Sequence, residues 1–408
     1  MLSWKARVLV DGPPCQGILA DGRLGPGSKT RQIVWVPEIG MAEFQSVIRS
    51  AAVLCAEGGP TSHLAVACRI LGIPVLLLED VPSPLPIGEL VTVDPAGGMV
   101  FWGEHSVQPL SVRDTNRKLM ESMRQKGITF QITIIDEMNI RAVNKRAPSD
   151  VDCFFLRSEF VWAKADLNPF SFVKEAGLEE ATRVIHSCLL SCKEELSPGQ
   201  FLVFRSLDMA SDEFAHLRGS QAAEANPQIG LHGIRHLLLE QDLLIAEIQA
   251  INRCKTGGDE RILFALPFVI EVEELREVKK IAARQGCDGV KLGVFVETPA
   301  AVFDLPAMAA EGISYVCIGT KDLTQMILAC DRGNKRVAHL YDAKKPAVKR
   351  AIEQVVQVCK DLQLPVYVTA ALTDANHFIA QLPSINKFSF SCAEYLKLQW
   401  PFVECKLE

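Results

Sequence analysis

From residue 128 onward, short apolar runs alternate with longer amphipathic stretches: FQITII, DCFFL, QFLVF, RILFALPFVI, VKLGVFV, YVCIGT, PVYVTA and KFSFS. Runs that are apolar almost throughout suit strands buried on both faces, which parallel sheets provide. Eight of them, mostly with helical stretches between, predict a (β/α)8 barrel. Arg157, Arg205, Glu297 and Asp322 follow closely on several of the runs. In such barrels the C-terminal strand ends carry the chemistry.

The first hundred residues read differently. RVLV, QIVWVP, AAVLC, GIPVLLL and ELVTVDPAGGMVFW are strand-like runs set among turn residues, with helical patterns near 41–51 and 62–72. DPAGG at 94–98 predicts a hairpin between VTV and MVFW. The chain of 408 residues therefore divides into a small β/α domain at 1–106, a polar helical connector at 107–127 and a barrel domain at 128–408. The predicted fold class is α/β.

Net charge is −6 and no long Lys/Arg block is present, which argues against nucleic acid or an anionic membrane as a partner. A phosphorylated small molecule needs only a local cluster of arginines and stays open. No apolar run reaches membrane-spanning length. The 13 cysteines are scattered, and CLLSC (188–192) lacks the second pair of a zinc ribbon. The expectation is a reduced cytoplasmic setting, with most thiols acting as small core residues.

Two kinds of residue suggest chemistry. In EGGPTSHLAV, His63 stands where a glycine-rich loop turns into a helix, behind Thr61 and Ser62 as potential caps. Free N–H groups and the dipole at a helix N-terminus would stabilise a phosphoryl group on that imidazole; the plainer alternative is an incidental histidine in a capped helix. LRSEF and FRSLD set Arg157 and Arg205 at presumed strand ends, and CDRGN adds Arg332. Planar guanidinium groups pair with phosphate and carboxylate oxygens. VFVETPAA and CIGTKDLTQ supply Glu297 and Asp322, two carboxylates suited to a hard divalent cation such as Mg²⁺.

GGPTSHLAVACRILGIPV resembles the phosphohistidine signature of the phosphoenolpyruvate (PEP)-utilising enzymes, which include PEP synthase, pyruvate phosphate dikinase and the first enzyme of the bacterial sugar phosphotransferase system. The likeness continues in family order through LRSEF, FRSLDMASDE, NPQIGLHGIR, LPFVIEVEELREV, VETPAA and IGTKDLTQMILACDRGN. The resemblance implies that His63 accepts phosphate on a mobile domain that swings to the barrel. It further implies that Arg157, Arg205 and Arg332 hold PEP, that Glu297 and Asp322 hold Mg²⁺, and that barrels pair as homodimers.

The chain departs from that pattern at several places. Where the family has Cys-Gly-Glu after the seventh strand, PVYVTAALTD puts Thr369, Ala370 and Ala371, and a threonine hydroxyl is too weak an acid to replace a thiol. Cys392, on the following run, is the nearest substitute. His232 replaces an arginine, Lys321 replaces the asparagine before the metal-binding aspartate, and Glu213 replaces a lysine. Lys321 either neutralises substrate phosphate or repels the metal. No glycine-rich phosphate loop precedes the histidine stretch, so ATP chemistry within the chain is not expected. His63 would then exchange phosphate with a separate protein or a small molecule. Three readings follow: PEP-consuming phosphotransfer, phosphotransfer with an altered acid, or a binding protein that keeps the scaffold.

Overall fold

The computed structural model describes residues 3–22, 32–38, 44–58, 63–107, 113–145, 148–162, 167–215, 217–255, 258–332, 334, 336–370 and 372–399. They form two compact units, one of Met1–Met120 with Ser391–Glu408 and one of Glu121–Phe390.

The first unit is built on seven strands: β1 (Ser3–Val10), β2 (Cys15–Asp21), β3 (Gln32–Glu38), β4 (Ala52–Glu57), β5 (Val75–Leu78), β6 (Leu90–Asp94) and β7 (Met99–Trp102). They close into a small barrel in the order β1-β5-β4-β3-β2-β6-β7. Strands β2 to β5 run parallel, while β1, β6 and β7 pair antiparallel. Leu19, Ile33, Trp35, Leu54, Leu76, Val91 and Val93 fill the interior. The expected hairpin joins β6 to β7 with Asp94 opposite Met99. Gly98 takes φ 62 there, and Asp94 Oδ1 accepts from the Gly97 N–H at 3.1 Å.

Strand β2 is an addition to the sequence reading. Its CQGILAD is broken by Gln16 and Gly17, so no apolar run announces it; only Gly17 and Leu19 are buried. The helix His63–Leu71 opens on His63, as expected, with Leu64, Ala65, Ala67, Cys68 and Ile70 buried. Thr61 and Ser62, the expected caps, and the His63 side chain lie outside the described residues. The connector is helical over Arg113–Gln125.

The second unit carries β8 (Thr129–Ile134), β9 (Val151–Arg157), β10 (Phe201–Arg205), β11 (Ile262–Leu266), β12 (Leu292–Val296), β13 (Tyr315–Ile318), β14 (Val366–Thr369) and β15 (Lys387–Ser391). These eight close into one barrel in chain order, parallel at every recorded pairing from β8 to β15. The eight runs in the sequence are these strands. The run RILFALPFVI is longer than its strand, which stops at Leu266 because Pro267 has no N–H to give and Phe268 turns to φ 54.

Side chains alternate across a strand, and Cys153, Phe155, Val203, Leu263, Ala265, Phe295, Tyr315, Cys317 and Tyr367 pack together inside the barrel. Gly293 makes room for this layer, since a Cβ there would meet the Tyr315 side chain at 2.9 Å. Among the described residues all twelve cysteines are free and ten are buried, so they serve as core residues. No described helix is long and apolar enough to cross a membrane.

Candidate active site at the C-terminal strand ends

The alternation that fills the barrel also builds its mouth. Two residues past Phe155 on β9 comes Arg157, and two past Val203 on β10 comes Arg205; the two arginines are register partners across the β9–β10 pair. Two past Phe295 comes Glu297, two past Cys317 comes Gly319, and two past Tyr367 comes Thr369. The predicted residues thus form the layer directly above the apolar core. Asp322 enters from the first turn of the helix Thr320–Leu328, and Arg332 from the segment after it.

Charges in this layer are tightly paired. Glu159 Oε1 accepts from Arg157 Nη2 at 2.9 Å and from Arg205 Nη2 at 2.5 Å, with the Glu159 side chain fully buried. Arg205 Nη1 lies 3.1 Å from Asp208 Oδ2, and His232 Nδ1 lies 2.8 Å from Asp208 Oδ1. The Arg205 guanidinium also sits 5.5 Å above the Phe295 ring of the layer below. Burial alone would pull the Arg205 pKa down, but the Glu159 and Asp208 carboxylates outweigh it and push it up. Burial would raise Asp208, yet the Arg205 charge and the His232 hydrogen bond hold it below the usual range. For His232, desolvation favours the neutral ring, and the hydrogen bond and charge of Asp208 override it, so its pKa rises. His232 thus extends the Arg205–Asp208 chain by one hydrogen-bonded ring.

Glu297 is 3% exposed and accepts the Phe268 N–H on Oε2 at 3.0 Å. Phe268 holds a left-handed backbone at φ 54, an unfavourable conformation for a bulky residue, which here aims its N–H at the carboxylate. Burial, and then the charges of Asp208 and Asp322, push Glu297 up to about 8, against the pull of Arg205 and that N–H. Across from it, Gly319 leaves the space: a Cβ there would collide with Cγ and Oε1 of Glu297. Asp322 Oδ1 lies 2.8 Å from Arg332 Nη1.

The departures from the expected pattern have clear placements. The Thr369 hydroxyl donates to the Ile318 carbonyl at 3.0 Å and accepts the Thr320 N–H at 3.1 Å, while the Thr320 hydroxyl donates to the Thr369 carbonyl. It is a tie between β14 and the start of the Thr320–Leu328 helix. Lys321 has an exposed side chain, and its carbonyl accepts the Tyr341 hydroxyl at 3.2 Å. Glu213 accepts the Ala210 N–H at 2.9 Å. Cys392 is not on a strand: it opens the helix Cys392–Gln399, because β15 ends at Ser391, and it is buried. Ala371 lies outside the described residues.

Sequence reasoning did not single out Glu159, Asp208 or Glu247. The first two stand two and three residues after the strand-end arginines, near enough to fold back on them. Glu247 had one signal, an acidic residue in the apolar stretch LLIAEIQAI.

A divalent cation would find two carboxylates here, Glu297 and Asp322. Among the described residues no group of three or more His, Cys, Asp or Glu side chains is arranged to hold a metal by itself. Burial raises Glu297 most, but the neighbouring charges of Asp208 and Asp322 add to it and are what a cation would relieve, and Mg²⁺ commonly keeps water and substrate oxygens as its remaining ligands. The residues fit such an ion.

Comparison with known proteins agrees with this arrangement. Residues 155–396 match the family model described as PEP-utilising enzyme, PEP-binding domain, and residues 28–98 match PEP-utilising enzyme, mobile domain. Phosphoenolpyruvate synthase of Pyrococcus furiosus is 33% identical over 328 residues, 76% of this chain and 39% of that protein. A "Probable phosphoenolpyruvate synthase" of Archaeoglobus fulgidus is 32% identical over 77% of this chain and 41% of its own length. Phosphoenolpyruvate-protein phosphotransferase of Staphylococcus aureus is 27% identical over 74% of this chain and 54% of its own. The chain thus spans about two fifths of the synthases it matches. With both domain models matched in order and the barrel mouth built from the motif residues, the chain belongs to the PEP-utilising enzyme family.

Proposed function

We propose that this chain moves a phosphoryl group from PEP to His63 and on to an acceptor outside the chain, a separate protein or a small molecule. The observation that carries the reading is the side-by-side placement of Arg157 and Arg205 at one register of adjacent parallel strands, with Glu297 near enough for its charge to act on Arg205. Paired guanidinium groups recognise the carboxylate and phosphate of one small acid, and Arg332 adds a third cation. Glu297 and Asp322 would hold Mg²⁺, which when bound offsets charge on the phosphoryl oxygens.

In the step itself, a lone pair of the His63 imidazole attacks phosphorus and an N–P bond forms. The bond from phosphorus to the enol oxygen breaks, its electron pair leaving with enolpyruvate. The methylene carbon then takes its proton from water. Both hydrogen-bonding functions of Thr369 are engaged, so it supplies no proton. This favours the PEP-consuming direction, because the reverse needs a base to remove a methyl proton from pyruvate. Bound arginines must exchange Glu159, Asp208 and Asp322 for substrate oxygens in part, a rearrangement that a cation would assist. Homodimers through the barrel and a cytoplasmic setting complete the proposal.

An altered acid is the second reading, favoured by His232 joining the Arg205–Asp208 chain in place of an arginine. A melting-temperature series with Mg²⁺ and PEP, pyruvate, or other phosphorylated acids separates the two. A rise with PEP above the others supports the first; a larger rise with another acid supports the second. No shift with any of them leaves the scaffold-only reading.

A further inference from the structure

Behind the mouth, on the outward side of the same two strand ends, a second carboxylate is buried. Glu247 lies on the helix Gln241–Arg253, fully excluded from solvent, with Leu243, Leu244, Ala246, Ile248, Ala250 and Ile251 buried around it. A charge in so apolar a stretch is costly unless it has specific partners. It has three. Oε1 accepts from the Ser158 hydroxyl at 2.6 Å and from the Leu207 N–H at 3.2 Å, and Oε2 accepts from the Ser206 hydroxyl.

Ser158 and Ser206 directly follow Arg157 and Arg205, and both are completely buried. Each serine is the first residue past its strand, and its hydroxyl turns to the helix Gln241–Arg253. One carboxylate therefore grips both strand ends from behind, at the register where their arginines are partners. Burial pushes Glu247 up to about 7, opposed by the Ser158, Ser206 and Leu207 hydrogen bonds.

We propose that Glu247 is the positioning residue of the anion pocket: acting through Ser158 and Ser206, it sets the spacing of Arg157 and Arg205 and thereby the affinity for the phosphorylated acid. The inference rests on the reading that these arginines bind that acid. It makes Glu247 a determinant of binding although it touches neither substrate nor metal.

Calorimetric titration of PEP with Mg²⁺ into the wild type and four variants of the full chain tests it. Glu247→Gln keeps an acceptor for Ser158 and Leu207 and an amide for Ser206, and should bind about as the wild type does. Glu247→Leu strands two hydroxyls and an N–H, and should weaken binding by about tenfold or more. The pair Ser158→Ala with Ser206→Ala should weaken binding similarly, and it remains informative if the leucine variant does not fold. Adding Glu247→Leu to that pair should cost little more binding, because the two ties to the arginine-bearing strand ends are already gone and only the Leu207 N–H is newly stranded. Wild-type affinity in the leucine variant, or in the serine pair, overturns the positioning role, as does a glutamine variant as weak as the leucine one. A wild type that binds no PEP overturns the reading of the pocket itself, and the two failures are thereby told apart.

Discussion

Replacing Arg205 with methionine keeps the apolar stem of the side chain and removes its charge from the centre of the mouth. The guanidinium is 6% exposed as a residue and is shared by Glu159, itself 1% exposed, and Asp208. Without it, Glu159 keeps Arg157 beside it and Asp208 keeps His232, but both carboxylates have lost the guanidinium they share. Removing one partner of a buried ion pair costs about 3–5 kcal/mol, because the remaining charge stays desolvated. At about 1.4 kcal/mol per tenfold, protection of the barrel amides should drop by roughly a hundredfold to a few thousandfold. Hydrogen exchange on peptides spanning β10 and β11 reads this in the second unit alone. The partner variant refines the argument. Glu159→Gln in the methionine background removes the fully buried one of the two carboxylates that lost Arg205 and should recover about 1 kcal/mol or more. A single-variant loss below about tenfold, or a double variant less stable than the single, would refute the account of these charges.

Other consequences follow from the same geometry. Gly319→Ala should leave the barrel folded, since its backbone φ of −78 suits alanine, yet displace Glu297 and abolish Mg²⁺-dependent PEP binding in calorimetry; unchanged binding would contradict the placement of Glu297. Thr369→Cys should increase solvent-coupled hydrogen exchange into pyruvate, followed by NMR in deuterated water, and no increase would count against the forward bias. Glu247 and Glu297 both titrate well above an unfolded glutamate near 4.3, at about 7 and about 8. Between those values the folded state binds more protons than the unfolded one, so their contribution to stability is full below about 4.3 and is lost as pH rises toward 8. Melting curves from pH 5 to 8 should therefore fall less steeply for Glu247→Gln than for the wild type.

Most of the barrel was legible because its eight strands are short, mostly apolar runs separated by helical stretches, and because strand-end arginines and carboxylates follow several of them at one height. The small barrel of the first unit was less so: β2 is half exposed and broken by Gln16 and Gly17, leaving no period to read. Arg157, Arg205 and Glu297 could be chosen from sequence since they stand at or just past apolar runs. Glu159, Asp208 and Glu247 could not, because their importance lies in which cation or hydroxyl they meet, and the register of parallel strands decides that. The left-handed Phe268 left no trace either, for nothing in LPFVI distinguishes a residue that must turn its N–H toward Glu297.

The central claim is that phosphorus passes from PEP to one imidazole. Incubation of the wild type and His63→Ala with ³²P-labelled PEP and Mg²⁺, followed by acid treatment, measures it directly. The account predicts acid-labile, base-stable label on the wild type and none on the alanine variant. Label that survives acid, or that appears equally on both proteins, would contradict it.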